Sequence, residues 1–70
     1  MNSSEDRYAI RSVDRAVDIL AAVAASNGAL TVDGIVADTG LPKSTVFRIL
    51  ATLTARRVLD RDEQSQTYRL

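Results

Sequence analysis

The stretch TGLPKSTVFRILATL, Thr39 to Leu53, joins a tight turn to a helix. Gly40 stops whatever precedes it, because a glycine adopts the left-handed conformation without steric cost. Pro42 is tolerated in a first helical turn, where its missing N–H would have had no partner. The spacing of Val46, Ile49, Leu50 and Leu53 then predicts a helix that begins at Pro42 or Lys43 and buries one apolar stripe. At about 100° per residue, Ser44, Arg48, Ala51 and Ala55 point away from that stripe, with Thr45, Phe47 and Thr52 beside them.

Upstream, two more helices are expected. Val13, Ala16, Val17, Leu20, Val23 and Ala24 recur at three- and four-residue steps, with Ser12 as N-cap and Ser26–Gly28 as the stop. Arg11, Asp14, Arg15 and Asp18 occupy the other side, at spacings that allow helical ion pairs and read as a solvated face. A shorter helix starts at Thr31, which can cap it. Asp33 suits the positive end of its dipole, and Leu30 with Ile35 suits a hydrophobic staple. Gly34 inside this helix costs about 1 kcal/mol relative to alanine and points to close approach by another backbone. Downstream of Arg57, the segments VLDRD and TYRL read as a hairpin joined by EQSQ, a loop without Gly, Asn or Pro to name its turn type. Residues 1–10 read as a flexible N-terminal segment and 11–70 as one domain.

Charge is neutral in total, nine basic against nine acidic residues, but it is not evenly spread. Positions 1–42 carry three arginines against six acids, and positions 58–70 two arginines against three acids. Between them, Lys43, Arg48, Arg56 and Arg57 stand without an acid. With no cysteine and no histidine, neither disulfides nor zinc can support so small a chain, and no cofactor is expected. A chain of this size buries only about 60% of its unfolded surface, so association with another chain, or with the rest of a longer protein of which this is an N-terminal piece, is expected. The longest apolar run, ILAAVAA, falls short of the roughly 20 residues that span a bilayer, and the polar, acidic start is unlike a signal peptide. A soluble, cytoplasmic protein without membrane contact is expected.

Enzyme chemistry fails on inventory. GLPKST superficially resembles the end of a phosphate-binding loop, yet Pro42 precedes the lysine and no buried strand leads in. No histidine or cysteine is available as base, nucleophile or metal ligand.

Two helices joined by a short glycine turn, the second free of acids, are the elements of a helix-turn-helix, whose second helix enters the major groove of duplex DNA. Lys43, Ser44 and Thr45 are small or hydrogen-bonding residues at the end that must approach the bases, and are natural phosphate partners. Arg48 is long enough for a bidentate contact with guanine O6 and N7. Phe47 either meets a thymine methyl or leans on the preceding helix, the commoner fate of an isolated surface aromatic. Thr52 lies on the same helix, and Arg61 and Arg69 on the hairpin are candidate backbone contacts. The expected fold is therefore mainly α with a small β-hairpin, a winged helix-turn-helix of three helices and a two-stranded wing.

The segments RSVDRAVDILAAVA, GLPKSTVFRILATL and YRL resemble the N-terminal domain of the isocitrate lyase regulator (IclR) family of bacterial transcription factors, over nearly the whole chain from about Tyr8. The resemblance implies a winged helix-turn-helix that dimerises and binds operator DNA. It also implies a C-terminal domain, outside these residues, through which a small-molecule effector acts. It places Pro42, Lys43, Ser44, Thr45 and Arg48 in the recognition helix, and Tyr68 and Leu70 at the close of the wing. Phe47 departs from the family pattern, standing where members often carry histidine, and Arg57 stands where a glycine commonly ends the recognition helix. The competing reading is a winged helix used only for protein contact, motivated by the zero net charge.

Overall fold

Helices α1 (Arg11–Ala25), α2 (Val32–Thr39) and α3 (Lys43–Ala55) are followed by strands β1 (Asp60–Asp62) and β2 (Thr67–Arg69), in a computed structural model that describes residues 8–27 and 30–70. The strands pair antiparallel, with Asp60 opposite Arg69, Arg61 opposite Tyr68 and Asp62 opposite Thr67. The architecture is a winged helix. Most of the expected flexible opening, and Gly28 as a helix stop, lie outside the described residues.

Each helix draws its limits from local chemistry. Helix α1 begins two residues earlier than Ser12 as N-cap suggests: Ile10 is the N-cap, in extended conformation and without a side-chain hydrogen bond. The Asp14 N–H donates to the Ile10 carbonyl at 3.0 Å, which leaves Ser12 inside the first turn. At the other end the Ser26 hydroxyl donates to the Val23 carbonyl at 2.6 Å. Asn27 takes the left-handed conformation (φ 59°), as asparagine does more readily than most residues. Helix α2 is capped as expected, the Gly34 N–H donating to Thr31 Oγ1 at 3.1 Å. Gly40 closes it at φ 72°. Gly34 faces a side chain rather than another backbone, since a Cβ there would lie 2.7 Å from Leu30 Cδ1. The Thr39 hydroxyl bonds back to Ile35 O at 2.7 Å and accepts from the Leu41 N–H at 3.3 Å, which pins the turn.

The core is one cluster: Ile19 and Val23 of α1, Ile35 of α2, Val46 and Leu50 of α3, then Leu59 and Tyr68 around the hairpin. Ile19, absent from the expected α1 stripe, is fully buried, whereas Val13 and Val17 remain more than half exposed. The apolar arc of α1 is wider than this core, running through about 160° from Ile19 to Val17 at about 100° per residue. Periodicity located the arc but not the edge of it that α2 and α3 cover.

The wing is anchored by a contact that short-range patterns do not show. The Tyr68 N–H donates to the Leu30 carbonyl at 2.9 Å, in an isolated antiparallel bridge. In the wing loop Asp62 Oδ1 accepts from the N–H groups of Gln64 and Ser65, at 3.0 and 3.4 Å. Gln66 supplies the positive φ (56°) that a glycine would ordinarily give.

Arg57 preserves the helix-to-wing turn despite its side chain. It sits at φ 62°, its N–H donating to Thr54 O at 3.0 Å while the Val58 N–H reaches Leu53 O at 2.9 Å. These are the two bonds of a Schellman motif with arginine at the left-handed position. Gly40→Ala, where a new Cβ meets nothing within 4 Å, is expected to destabilise by about 1 kcal/mol through backbone conformation alone. Arg57→Gly is expected to stabilise by about 0.5–1 kcal/mol by relieving the same strain. Urea denaturation midpoints compare the two; shifts of the same sign would refute this account.

Candidate nucleic-acid interface

Burial of Val46 and Leu50 sets the rotation of α3 about its own axis, and so decides which residues face out. Ser44, Arg48, Ala51 and Ala55 are all exposed, forming a ridge of small side chains around one long cation. The ridge opens at an end with no side-chain cap: Pro42 is the N-cap (φ −59°), and its carbonyl accepts the Val46 N–H at 3.0 Å. The N–H groups of the first turn are thus left for an external acceptor, at the positive end of the helix dipole.

The remaining predicted residues divide between the two flanks of this ridge. On the wing side, Lys43, Phe47 and Arg61 line a recess of about 150 Å³ together with Val32, Asp33 and Tyr68. Phe47 keeps half of its surface exposed, and Lys43 Nζ stands 6.0 Å from the centre of its ring. On the α1 side, Thr45, Arg48 and Thr52 line a cleft of about 260 Å³ with Ile49, Ser12 and Arg15. The Thr52 hydroxyl donates to Arg48 O at 2.9 Å, so its hydrogen is committed within the helix. Arg69 stands apart. Its register neighbour Tyr68 faces the core, so alternation puts Arg69 on the other side of the hairpin, opposite Asp60.

Electrostatically, the segment from Lys43 to Arg57 is free of acids along the chain but not in space. Lys43 Nζ lies 3.0 Å from Asp33 Oδ1 of α2, with both side chains more than half exposed. An exposed pair of this kind contributes about 0–1 kcal/mol, so a competing anion can take the lysine from it. It is the one salt bridge among the described residues, and the ion pairs that spacing allows on α1 do not form. Ser12, Arg15 and Asp33 also line these recesses, although the sequence offers each an adequate local role, as cap, solvated charge or dipole partner.

A family model for the IclR helix-turn-helix domain matches residues 12–63. The HTH-type transcriptional regulator BhcR of Paracoccus denitrificans is 45% identical over 65 residues, which cover 93% of this chain and 23% of that protein. The crystal structure of an IclR family transcriptional regulator from Brucella abortus superposes with a TM-score of 0.83 at 33% identity, over 96% of this chain and 26% of that one. The chain thus spans about a quarter of the length of these relatives.

Asp33 both favours the dipole of α2 and holds Lys43, two electrostatic terms that salt screens. Asp33→Asn is expected to lower stability by about 1 kcal/mol at low ionic strength, and by markedly less in 1 M salt. Denaturation at both ionic strengths checks this; an equal loss at both would show that Asp33 acts by packing or hydrogen bonding instead.

Proposed function

Because this chain belongs to the IclR helix-turn-helix family, we propose that it binds operator DNA sequence-specifically as the DNA-binding part of a transcriptional regulator, with α3 in the major groove. The observation that carries this is the open ridge of α3: Ser44 and Arg48 are exposed, and the helix start above them is uncapped. A major groove about 12 Å wide accepts one helix only where its outer side chains are small or directed at base edges. In this role Arg48 makes a bidentate contact with guanine, while Ser44 and Thr45 bind at the groove lip. Lys43 and Arg61 contact backbone phosphates from the wing side. Phe47 adds apolar contact beside them, and Thr52 and Arg69 are peripheral contacts. Such a protein works in the cytoplasm, with its operator, and by regulation rather than catalysis.

The operator is taken as palindromic and the bound form as a homodimer, since paired half-sites one helical turn apart match a two-fold protein. Support for dimerisation comes from the uncovered apolar edge of α1. Ile10, Val13 and Val17 are 62%, 55% and 56% exposed. Beside them runs a groove of about 420 Å³ lined by Val13, Ala16, Val17, Leu20, Ile49 and Leu53. Effector control, as the family resemblance implies, acts through sequence beyond these seventy residues. A protein-contact module without DNA binding would use the same apolar edge, but would leave the open ridge of α3 without a task.

Binding to a duplex selected from a random pool is expected to weaken linearly with log salt, by about 0.9 per phosphate neutralised. Arg48→Ala is expected to cost about 1–3 kcal/mol on that duplex and to relax one base position, whereas Lys43→Ala weakens all duplexes alike. Absent or salt-insensitive binding would favour the protein-contact role. For the dimer, Val17→Glu is expected to lower self-association in sedimentation while helicity is retained. A parent chain that sediments only as monomer at high concentration would refute dimerisation through α1 in this chain.

A further inference from the structure

The cleft between α1 and α3 brings cationic and hydroxyl side chains of both helices together. Arg15 and Arg48 come from different helices yet line one cleft together with the hydroxyl residues Ser12 and Thr45, with no acid in its walls. Neither guanidinium has a carboxylate within ion-pair distance among the described residues. The acids of α1 are turned elsewhere. Asp18 lines a separate recess with Asp38 and Thr39, and Asp14 lies about 200° around the helix from Ser12.

In the first turn of α1 Arg11 is balanced by the acidic Asp14, while Arg15, one turn beyond Arg11, adds a second cation. No side chain caps that end. An oxyanion in the cleft would pair with the Arg15 guanidinium, leaving Arg48 for the base contact proposed above. A helix seated in the major groove has one phosphate backbone on each flank. The wing flank of α3 is furnished by Lys43 and Arg61; the other flank is the α1 cleft.

The geometry points to Arg15 and Ser12 as a phosphodiester clamp, holding the DNA strand on the α1 side of the recognition helix through charge-assisted hydrogen bonds. The Thr45 hydroxyl shares the cleft, while Thr52, its hydrogen already donated to Arg48 O, shapes the wall. This assignment rests on α3 entering the groove. It adds that α1 fixes the depth and register of α3 without reading any base.

Fluorescence anisotropy of the seventy-residue chain tests it, on a pool-selected 24-bp duplex and an unrelated one of equal length. Arg15→Gln is expected to weaken both by the same factor, about tenfold, and to make the log-log salt slope shallower by about 0.9. Arg15→Lys is expected to keep the parent slope, and Ser12→Ala to cost less than Arg15→Gln, with thermal melts confirming that each variant is folded. Unchanged affinity and slope for a folded Arg15→Gln, beside a parent that binds, would overturn the clamp and leave groove binding intact. A loss confined to the selected duplex would make Arg15 a base reader and overturn it as well. A parent that binds neither duplex removes the groove-binding premise itself. Sodium phosphate and sodium chloride at matched ionic strength should compete equally. Stronger competition by phosphate, lost in Arg15→Gln, would assign the cleft to a free phosphate ligand instead of the duplex.

Discussion

The burial of Val46 and Leu50 is the constraint on which the rest depends. Both side chains are fully enclosed, in the same cluster as Ile19 and Ile35. Truncating Leu50 to alanine would cost about 2–5 kcal/mol, a large share of what a seventy-residue domain has, and Val46, with fewer atoms to lose, would cost less. Because side chains advance about 100° per residue, enclosing these two leaves Ser44 and Arg48 outside and directs Lys43 and Thr45 to opposite flanks. The orientation of α3, the residues it exposes and the composition of its two flanks thus follow from one packing requirement.

A neutral chain can carry a strongly directional surface. The nine acids of this protein equal its cations in number, yet in the described structure only Asp33 approaches a cation closely enough to pair with it. Asp18 and Asp38 gather in another recess, and Asp60 lies on the side of the hairpin turned from the core. Total charge therefore says little about partners here; the placement of each charge around α3 says more.

Features encoded within a few residues were legible in the sequence. Thr31 as a cap, Gly40 as a stop, Pro42 at a helix start and the outward row from Ser44 to Ala55 all follow from local rules of hydrogen bonding and periodicity. What escaped were facts requiring two distant segments. Ile19 is buried because α2 and α3 choose one edge of a wide apolar arc on α1. Asp33 meets Lys43 only once the turn has brought their helices together. Ser12, a plausible cap by type, lies inside the helix because Ile10 already supplies the first carbonyl. Arg57 shows the converse case, in which helix-end geometry prevailed over residue preference.

The bridge between Tyr68 and Leu30 gives the hairpin a second attachment besides its covalent link to α3. Leu30 directly precedes Thr31, whose side chain starts α2, and Asp33 two residues later restrains Lys43. The hairpin tip is therefore not an independent appendage: through the Leu30 carbonyl it is joined to the start of α2, the helix whose Asp33 moors Lys43 at the opening of α3.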